Sequence, residues 1–482
     1  MSCIGMFLTV AIPLGISLAA GAVVIPTAAP ASAANVDKAL LSVSFEFFAF
    51  PGYTAIESTT NCLANIATLR GAPPAVRIGG TTQDRATYNP NLSTAVNYTV
   101  ANAGDAPDTL TYGPSFFTLA AQMKGDVTVG LNRRLNNQAN TLAAALQAKQ
   151  VMPNLLSIEL GNEPEFYASG SPIIPAGGWN PAADGASQKA WFTSLAPSLG
   201  NIFQAAVYLQ IPTWSTAGLV PMLGSAVNFV KTFSGHSYPQ SACGGASTNL
   251  QSLLSHSSIV SYTSRFRSEA NAAHNAGKRY FLGETNSATC GGGGISPTFG
   301  AALWIVDYAL QAAINGIERQ YFHQGTIGNC QYCWWGRFTV GAPFYGVAFV
   351  SEFLGTDGTK LAMLDDGSGA VAVYAIFDSV GRPVRLLVYN SNFFDGSGTR
   401  SSTVVSFTGG NLPTSGSRTL KRLTAPSAMS RVDQGEAVTI GGGGTFDSTC
   451  RNAGTQTRET ISISNSGLSV TVRASESVIV YL

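Results

Sequence analysis

Short apolar runs alternate with helix-like stretches in the chain up to about residue 322. Each run is rich in β-branched or aromatic residues, and in the stretches between them apolar residues recur every three or four positions. Strands are predicted at 41–48, 75–80, 126–131, 155–161, 211–215, 231–238, 279–284 and 319–322. Because eight parallel strands that alternate with helices close into a barrel, we expect a (β/α)8 TIM barrel over residues 41–354.

The pattern changes beyond residue 355. Short alternating runs are separated by Gly, Asn, Asp, Ser and Pro, which predicts strands at 371–377, 384–389, 402–407, 417–423, 437–440, 459–463 and 469–472. This spacing is typical of an antiparallel β-sandwich, which we expect over residues 355–482, packed on the barrel. The segment 36–41 precedes the first barrel strand and is expected to add a strand to the sandwich.

An apolar segment over residues 4–34 ends in the small residues Ala-Ser-Ala-Ala at 31–34. We interpret residues 1–34 as a secretory signal peptide cut near Ala33 or Ala34, although no Lys or Arg precedes the apolar region. Pro13, Pro26 and Pro30 disfavour the alternative, an uncleaved membrane anchor. The protein is therefore expected to be secreted and to have no membrane partner after cleavage.

Charge gives no reason to expect nucleic acid as a partner. Lys and Arg together number 27 and Asp and Glu 26, so the formal net charge is +1. Two sequons for N-glycosylation, at Asn91 and Asn97, are consistent with an exported glycoprotein.

Cleavage of the leader would remove Cys3 and leave an even set of six cysteines, at positions 62, 243, 290, 330, 333 and 450. Such a set in an exported chain predicts disulfide bonds, although sequence alone does not choose the pairing. Cys330 and Cys333 have the CxxC spacing of a redox or zinc site. No second CxxC or histidine cluster completes a tetrahedral zinc set, so a structural disulfide is the favoured interpretation.

Two predicted strands end directly on glutamate. Ile-Glu-Leu-Gly-Asn-Glu-Pro at 158–164 places Glu163 at the exit of the fourth strand, and Tyr-Phe-Leu-Gly-Glu-Thr-Asn at 280–286 places Glu284 at that of the seventh. Functional residues of such barrels lie at the strand exits. Each glutamate alone could simply be the first solvated residue after a strand, but the pair favours the two-carboxylate chemistry of a glycoside hydrolase. Asn162 could bind a sugar hydroxyl beside the reacting centre, which makes Glu163 the acid/base candidate.

Five motifs lie at successive predicted strand ends: 41–46 (LSVSFE), 76–84 (VRIGGTTQD), 161–164 (GNEP), 235–238 (GHSY) and 283–287 (GETNS). Together they resemble glycoside hydrolase family 79, which includes β-glucuronidases and heparanase, and the resemblance covers about residues 40–355. It implies a retaining double displacement in which Glu284 is the nucleophile and Glu163 the acid/base. It also implies that Tyr238, at the exit of the sixth strand, forms a hydrogen bond with the nucleophile.

The resemblance further implies groups that bind a uronic acid. Gly291 and Gly292, in a run of four glycines, and Tyr332, between two cysteines, match the family positions that receive the sugar carboxylate. The glycine run could equally be a flexible connection. Other expected substrate contacts are Glu46, Arg77, Gly80 and Thr81, although Arg77 could instead be a structural partner of Glu46 or Asp84.

The leading hypothesis is thus a secreted, retaining exo-β-glucuronidase. Its substrate would be a glycan with terminal β-linked glucuronic acid or its 4-O-methyl form, and this chemistry requires no cofactor and no metal. A heparanase-like endo-enzyme on acidic polysaccharides is one alternative. A non-catalytic carbohydrate-binding protein is the other.

Overall fold

A closed barrel of eight parallel strands lies at the centre of the computed structural model, which describes residues 22–482. Its strands are Leu41–Glu46, Val76–Gly79, Val127–Leu131, Leu155–Leu160, Phe203–Tyr208, Val230–Ser237, Arg279–Thr285 and Arg319–Gln324. The eighth strand closes the barrel on the first, with Gln320 opposite Leu41. The predicted TIM barrel is confirmed.

Helices cover the outside of the barrel. The α-helices span Phe50–Thr54, Glu57–Arg70, Pro114–Ala120, Gln138–Val151, Pro181–Leu199, Thr216–Leu223, Leu250–Leu254, His256–Thr263, Phe266–Asn275, Phe299–Ile314 and Ala342–Leu354. Side-chain caps define where several helices begin. The side chain of Asn137 accepts from Asn140 N at the start of Gln138–Val151, and that of Thr298 accepts from Ala301 N at the start of Phe299–Ile314. Across residues 22–482, we find no helix that combines the length and the apolar character needed to span a bilayer.

The fifth strand lies earlier than predicted. Residues 211–215 are not a strand, since Ser215 is the N-cap of the helix Thr216–Leu223 and accepts from Gly218 N. The strand is Phe203–Tyr208, whose two central alanines weaken its β signal. This segment is fully buried between the fourth and sixth strands, and burial outweighs local propensity.

The C-terminal region and two short N-terminal strands form an eleven-stranded sheet that is antiparallel except at one edge. Its strands are Val23–Ile25, Ala34–Asn35, Lys360–Met363, Val371–Phe377, Pro383–Asn390, Ser402–Gly409, Ser415–Thr424, Thr439–Ile440, Glu459–Ser464, Gly467–Arg473 and Glu476–Tyr481. Alternate residues of Val371–Phe377 face two cores: Val373 and Phe377 lie inside the β domain, whereas Tyr374 and Ile376 join the core shared with the barrel. The expected antiparallel β domain is present, and sequence analysis missed its strands Lys360–Met363 and Glu476–Tyr481.

The N-terminal strand expected at 36–41 is instead two short strands further upstream. Val23–Ile25 runs parallel to Ser402–Gly409, with Val23 opposite Phe407, and Ala34–Asn35 pairs with Lys360–Met363. Ile25 is only 1% exposed and belongs to the core of the β domain. Residues 22–34, assigned above to the leader, thus contribute to the folded β domain. Cleavage near residue 34 would therefore remove a packed edge strand. Residues 1–21 lie outside the described part.

Among residues 22–482, three disulfides pair the six cysteines. Cys62–Cys450 links the helix Glu57–Arg70 to the β domain. Cys243–Cys290 joins the loops after the sixth and seventh barrel strands, and Cys330–Cys333 closes a short loop after the eighth. The predicted structural disulfide at the CxxC sequence is therefore present.

Candidate active site

Glu163 and Glu284 meet at the carboxyl-terminal end of the barrel. One carboxylate oxygen of each, together with one ring nitrogen of His236, all lie within 4.8 Å of one another. Carboxyl groups of retaining glycosidases lie about 5–5.5 Å apart, whereas inverting enzymes need about 6.5–9.5 Å to admit a water molecule. The spacing here fits direct attack by one carboxylate on a sugar held between the two.

Glu163 has the environment of a proton donor. Its backbone is left-handed, with φ 44°, and its Oε1 lies 2.8 Å from Nδ1 of His236. Burial, assisted by the negative charge of Glu284, raises the pKa of Glu163 to about 8. Burial also lowers the pKa of His236 to about 4, so the imidazole is neutral near pH 7. A protonated Glu163 beside a neutral His236 can therefore serve as a general acid.

Glu284 has the opposite environment. Its Oε1 accepts from the hydroxyl of Tyr238 at 2.7 Å, and its Oε2 accepts from Nη1 of Arg77 at 2.6 Å. Nδ1 of His323 lies 3.5 Å from the same Oε2. Burial alone raises the pKa of Glu284, but the charges of His323 and Arg77 and the hydrogen bond from Tyr238 outweigh it and hold that pKa well below 4.5. Glu284 is thus an ionised carboxylate, as a nucleophile must be.

Arg77 lies beneath these two residues and is completely buried. Besides Glu284, it donates from Nε and Nη2 to Oε1 of Glu159, and from Nη2 to Oδ1 of Asn162 at 2.7 Å. It forms neither of the ion pairs considered above, with Glu46 or Asp84. Its burial also argues against contact with substrate, so Arg77 positions Glu284 and Asn162 instead.

Glu46 lies at the exit of the first strand and accepts from the backbone N–H of Thr82 at 3.0 Å. Its Oε2 lies 3.4 Å from Nε2 of His323. A Cβ at Gly80 would lie 2.5 Å from this carboxylate, so the position requires glycine, whose φ is 105°. Thr81 is exposed at the start of the next turn.

Gly291, Gly292 and Tyr332 lie in neighbouring loops after the seventh and eighth strands. Both glycines have positive φ, 87° and 110°, and the carbonyl of Gly291 accepts from Gln331 N at 3.1 Å. The Tyr332 ring lies 6.3 Å from that of Tyr238. Burial, followed by the charge of Glu284, raises the pKa of Tyr332, which keeps its hydroxyl a donor. The two loops are thus joined to each other, and Tyr332 lies near Glu284.

Sequence reasoning assigned no role to His236 or His323. His236 stands inside the quoted GHSY motif, so alternation along the sixth strand could have placed it in the barrel with Tyr238. His323 was missed because the predicted eighth strand ended at residue 322, two residues before the observed end at Gln324.

The fold and the carboxylate pair define a glycoside hydrolase. Residues 373–479 match the model of the glycosyl hydrolase family 79 C-terminal beta domain. A β-glucuronidase from Aspergillus niger is 32% identical over 378 residues, which are 70% of this chain and 69% of that protein. The chain therefore belongs to glycoside hydrolase family 79.

Other known proteins are similar to this chain. A β-glucuronidase from Neurospora crassa is 29% identical over 66% of the chain and 64% of its own length. A solved structure of a 4-O-α-L-rhamnosyl-β-D-glucuronidase from Fusarium oxysporum 12S, in a Rha-GlcA complex, is 46% identical over 95% of this chain and 99% of that one, with a TM-score of 0.91. An arabinofuranosidase structure, 11% identical with a TM-score of 0.64 over 95% of this chain and 98% of its own, shares the fold.

Proposed function

We propose that this protein is a retaining exo-β-glucuronidase. The observation that carries the proposal is the close approach of a protonated Glu163 and an ionised Glu284, whose carboxylate oxygens lie within 4.8 Å. The β-glucuronidase names of its A. niger and N. crassa relatives support the choice of sugar.

The reaction would proceed by double displacement. In the first step, Glu284 forms a bond to the anomeric carbon while Glu163 gives its proton to the departing glycosidic oxygen, and the C–O bond breaks. In the second step, Glu163 takes a proton from water, and the water oxygen displaces the Glu284 carboxylate. Because Glu284 is uncharged in the intermediate, the pKa of Glu163 falls between the steps, which suits its change from acid to base.

Recognition of the sugar carboxylate is assigned to Gly291, Gly292 and Tyr332. Positive φ at both glycines and the absence of a Cβ allow backbone N–H groups to approach a ligand closely. The Tyr332 hydroxyl adds a donor beside Glu284. Glu46 and the amide of Asn162 are assigned to sugar hydroxyls.

Removal of terminal units is favoured over internal cleavage by the charges at the strand exits. An endo-enzyme on sulfated polysaccharide needs exposed basic residues, whereas Arg77 within the second strand and Arg133 after the third are buried and paired with Glu159 and Asp184. Product sizing on heparan sulfate separates the two modes. Early release of oligosaccharides would indicate the endo mode.

A second candidate exists for the sugar unit that the enzyme releases. The F. oxysporum relative, 46% identical, is a 4-O-α-L-rhamnosyl-β-D-glucuronidase, so a glucuronate that carries 4-O-rhamnose is a candidate substrate here. The 4-O-methyl form is a related possibility. Incubation with glycans that end in each of the three units, followed by mass spectrometry of the released sugar, distinguishes them.

The sugar preference is tested with aryl β-glycosides that differ only at C5. We expect the glucuronide to be hydrolysed at least about tenfold more efficiently than the glucoside or the xyloside, because a buried donor to a charged group contributes roughly 1.5–3 kcal/mol. Tyr332→Phe should lower the efficiency on the glucuronide relative to that on the glucoside, without loss of glucoside turnover. Equal efficiency on all three glycosides would contradict the assignment.

Secretion remains part of the proposal. Three disulfides and two exposed sequons, at Asn91 and Asn97, suit an oxidising export route. Because Ile25 is packed in the β domain, we place the cleavage site before Val23, where Ala20-Gly21-Ala22 supplies the small residues that a signal peptidase requires. N-terminal sequencing of protein recovered from the medium tests this site.

A further inference from the structure

Glu165 lies two residues after the acid/base candidate and is tied to the exit of the neighbouring strand. Its Oε1 accepts the backbone N–H of Leu209 at 2.5 Å and that of Gln210 at 2.8 Å. The backbone N–H of Glu163 in turn donates to the carbonyl of Val207 at 3.2 Å. Three hydrogen bonds therefore join the turn that carries the acid/base to the exit of the fifth strand.

Both joined segments have strained backbone. Glu163 has φ 44°, and Ala206 and Val207, at the end of the fifth strand, have φ 71° and 66°. A non-glycine residue in this region costs on the order of 1–3 kcal/mol and persists only where its surroundings fix it. Glu165 is the side chain that bridges the two strained segments.

The other carboxylate oxygen of Glu165 has no structural partner. Oε2 is buried and makes no hydrogen bond with any residue between 22 and 482. Burial, followed by the charge of Glu163, raises the pKa of Glu165 to about 7. The titratable groups that face it are Glu163, His236 and Tyr208, whose hydroxyl donates to Asp184. Because burying an unpaired carboxylate oxygen is unfavourable, stability alone does not account for a glutamate at this position.

We propose that Glu165 is a positioning residue that holds Glu163 in place for proton transfer, by binding the exits of the fourth and fifth strands together. Glu165 does not need to touch the substrate. The inference rests on the proposed function through the role of Glu163 as general acid. It follows that loss of the two hydrogen bonds that Oε1 of Glu165 accepts impairs protonation of the leaving group and spares nucleophilic attack.

The test compares two substrates whose need for an acid differs. Phenyl β-D-glucuronide has a poor leaving group that must be protonated, whereas 2,4-dinitrophenyl β-D-glucuronide departs without help. For Glu165→Ala we expect kcat/KM to fall at least about tenfold on the phenyl substrate and less than about threefold on the dinitrophenyl substrate. Glu165→Gln should restore activity on the phenyl substrate, because its amide oxygen can accept the same two N–H groups.

Glu269→Ala is the matched control. Glu269 is also buried and accepts a backbone N–H, from Thr216 at 2.5 Å, but it lies in the helix Phe266–Asn275. Its removal should lower thermal stability and affect the two substrates equally. Activities are expressed per mole of folded enzyme. Thermal unfolding curves show whether each variant is folded at the assay temperature.

Equal losses on both substrates for Glu165→Ala, or no loss on either, would overturn the inference. Failure of the wild type on both glucuronides would instead contradict the proposed function. The same comparison would then use phenyl and dinitrophenyl forms of whichever glycoside the wild type hydrolyses.

Discussion

Arg77 donates to Glu284 from beneath, with Nη1 2.6 Å from Oε2, and the arginine is completely inaccessible to solvent. The same guanidinium reaches Glu159 and Asn162 and so links three barrel strands. A charge that is preorganised inside the barrel stabilises ionised Glu284, the proposed nucleophile, without reorganisation during the reaction.

Replacement of Arg77 by Met should damage both stability and catalysis. The variant leaves Glu159 buried without its ion pair, which costs about 3–5 kcal/mol in the free energy of unfolding. We expect kcat/KM to fall at least about 100-fold, because Glu284 loses a charged donor. Denaturant unfolding and steady-state kinetics measure the two effects. The control is Arg265→Ala, because Arg265 is exposed and lies over the ring of Tyr262. Wild-type stability and activity of Arg77→Met would refute the role of Arg77 in positioning Glu284.

Amide replacements should separate the roles of Glu163 and Glu284. For Glu163→Gln we expect kcat/KM to fall about 10²–10⁴-fold on phenyl β-D-glucuronide and far less on the dinitrophenyl substrate. Added azide should restore turnover of the dinitrophenyl substrate by this variant. Glu284→Gln should have no measurable turnover on either substrate, and azide should not restore it with retained configuration. Full activity in either variant would overturn the pairing.

The pH dependence of kcat/KM follows from the two pKa shifts. The active form has protonated Glu163 and ionised Glu284, so the alkaline limb should lie near pH 8, where Glu163 loses its proton. The acid limb should lie well below pH 4.5, because the pKa of Glu284 is lowered. In Glu284→Gln the negative charge is absent, so the pKa of Glu163 should fall, as ¹³C NMR of the carboxyl can detect. An alkaline limb near pH 5 would contradict this account.

The environment of His256 predicts how the stability of the protein depends on pH. It lies between Asp307, 2.8 Å from Nδ1, and Asp365, 3.0 Å from Nε2, where the barrel meets the β domain. Burial lowers its pKa, but the hydrogen bonds to both carboxylates outweigh burial and raise the pKa to about 10. Since the folded-state pKa exceeds the ordinary value of 6.5, this stabilisation is complete below about pH 6.5 and is lost as the pH rises towards 10.

The difference in melting temperature between wild type and His256→Gln should therefore shrink from mildly acidic pH to about pH 10. His274→Gln is the control, because His274 is partly exposed and lies 3.3 Å from Glu318. A difference for His256→Gln that stays constant or widens with pH would contradict the ion-pair interpretation.

The sequence predicted the barrel and the meeting of Glu163 with Glu284, because apolar runs mark buried strands and the exits of parallel strands converge. It misplaced the fifth strand, whose alanines carry little β propensity, and it missed the pairing of Val23–Ile25 with a strand far along the chain. The hydrogen bond that Glu165 accepts from Leu209 N, and the left-handed backbone of Glu163 two residues earlier, are not revealed by local sequence pattern.

The most direct test of the proposed mechanism is covalent trapping with 2-deoxy-2-fluoro-β-D-glucuronosyl fluoride, followed by digestion and mass spectrometry. The fluorine slows both steps, and the good leaving group lets the first proceed, so the intermediate accumulates. We predict one sugar per enzyme, attached to the peptide that contains Glu284. A label on another residue, or turnover that yields the α-anomer first with no labelled peptide, would contradict it.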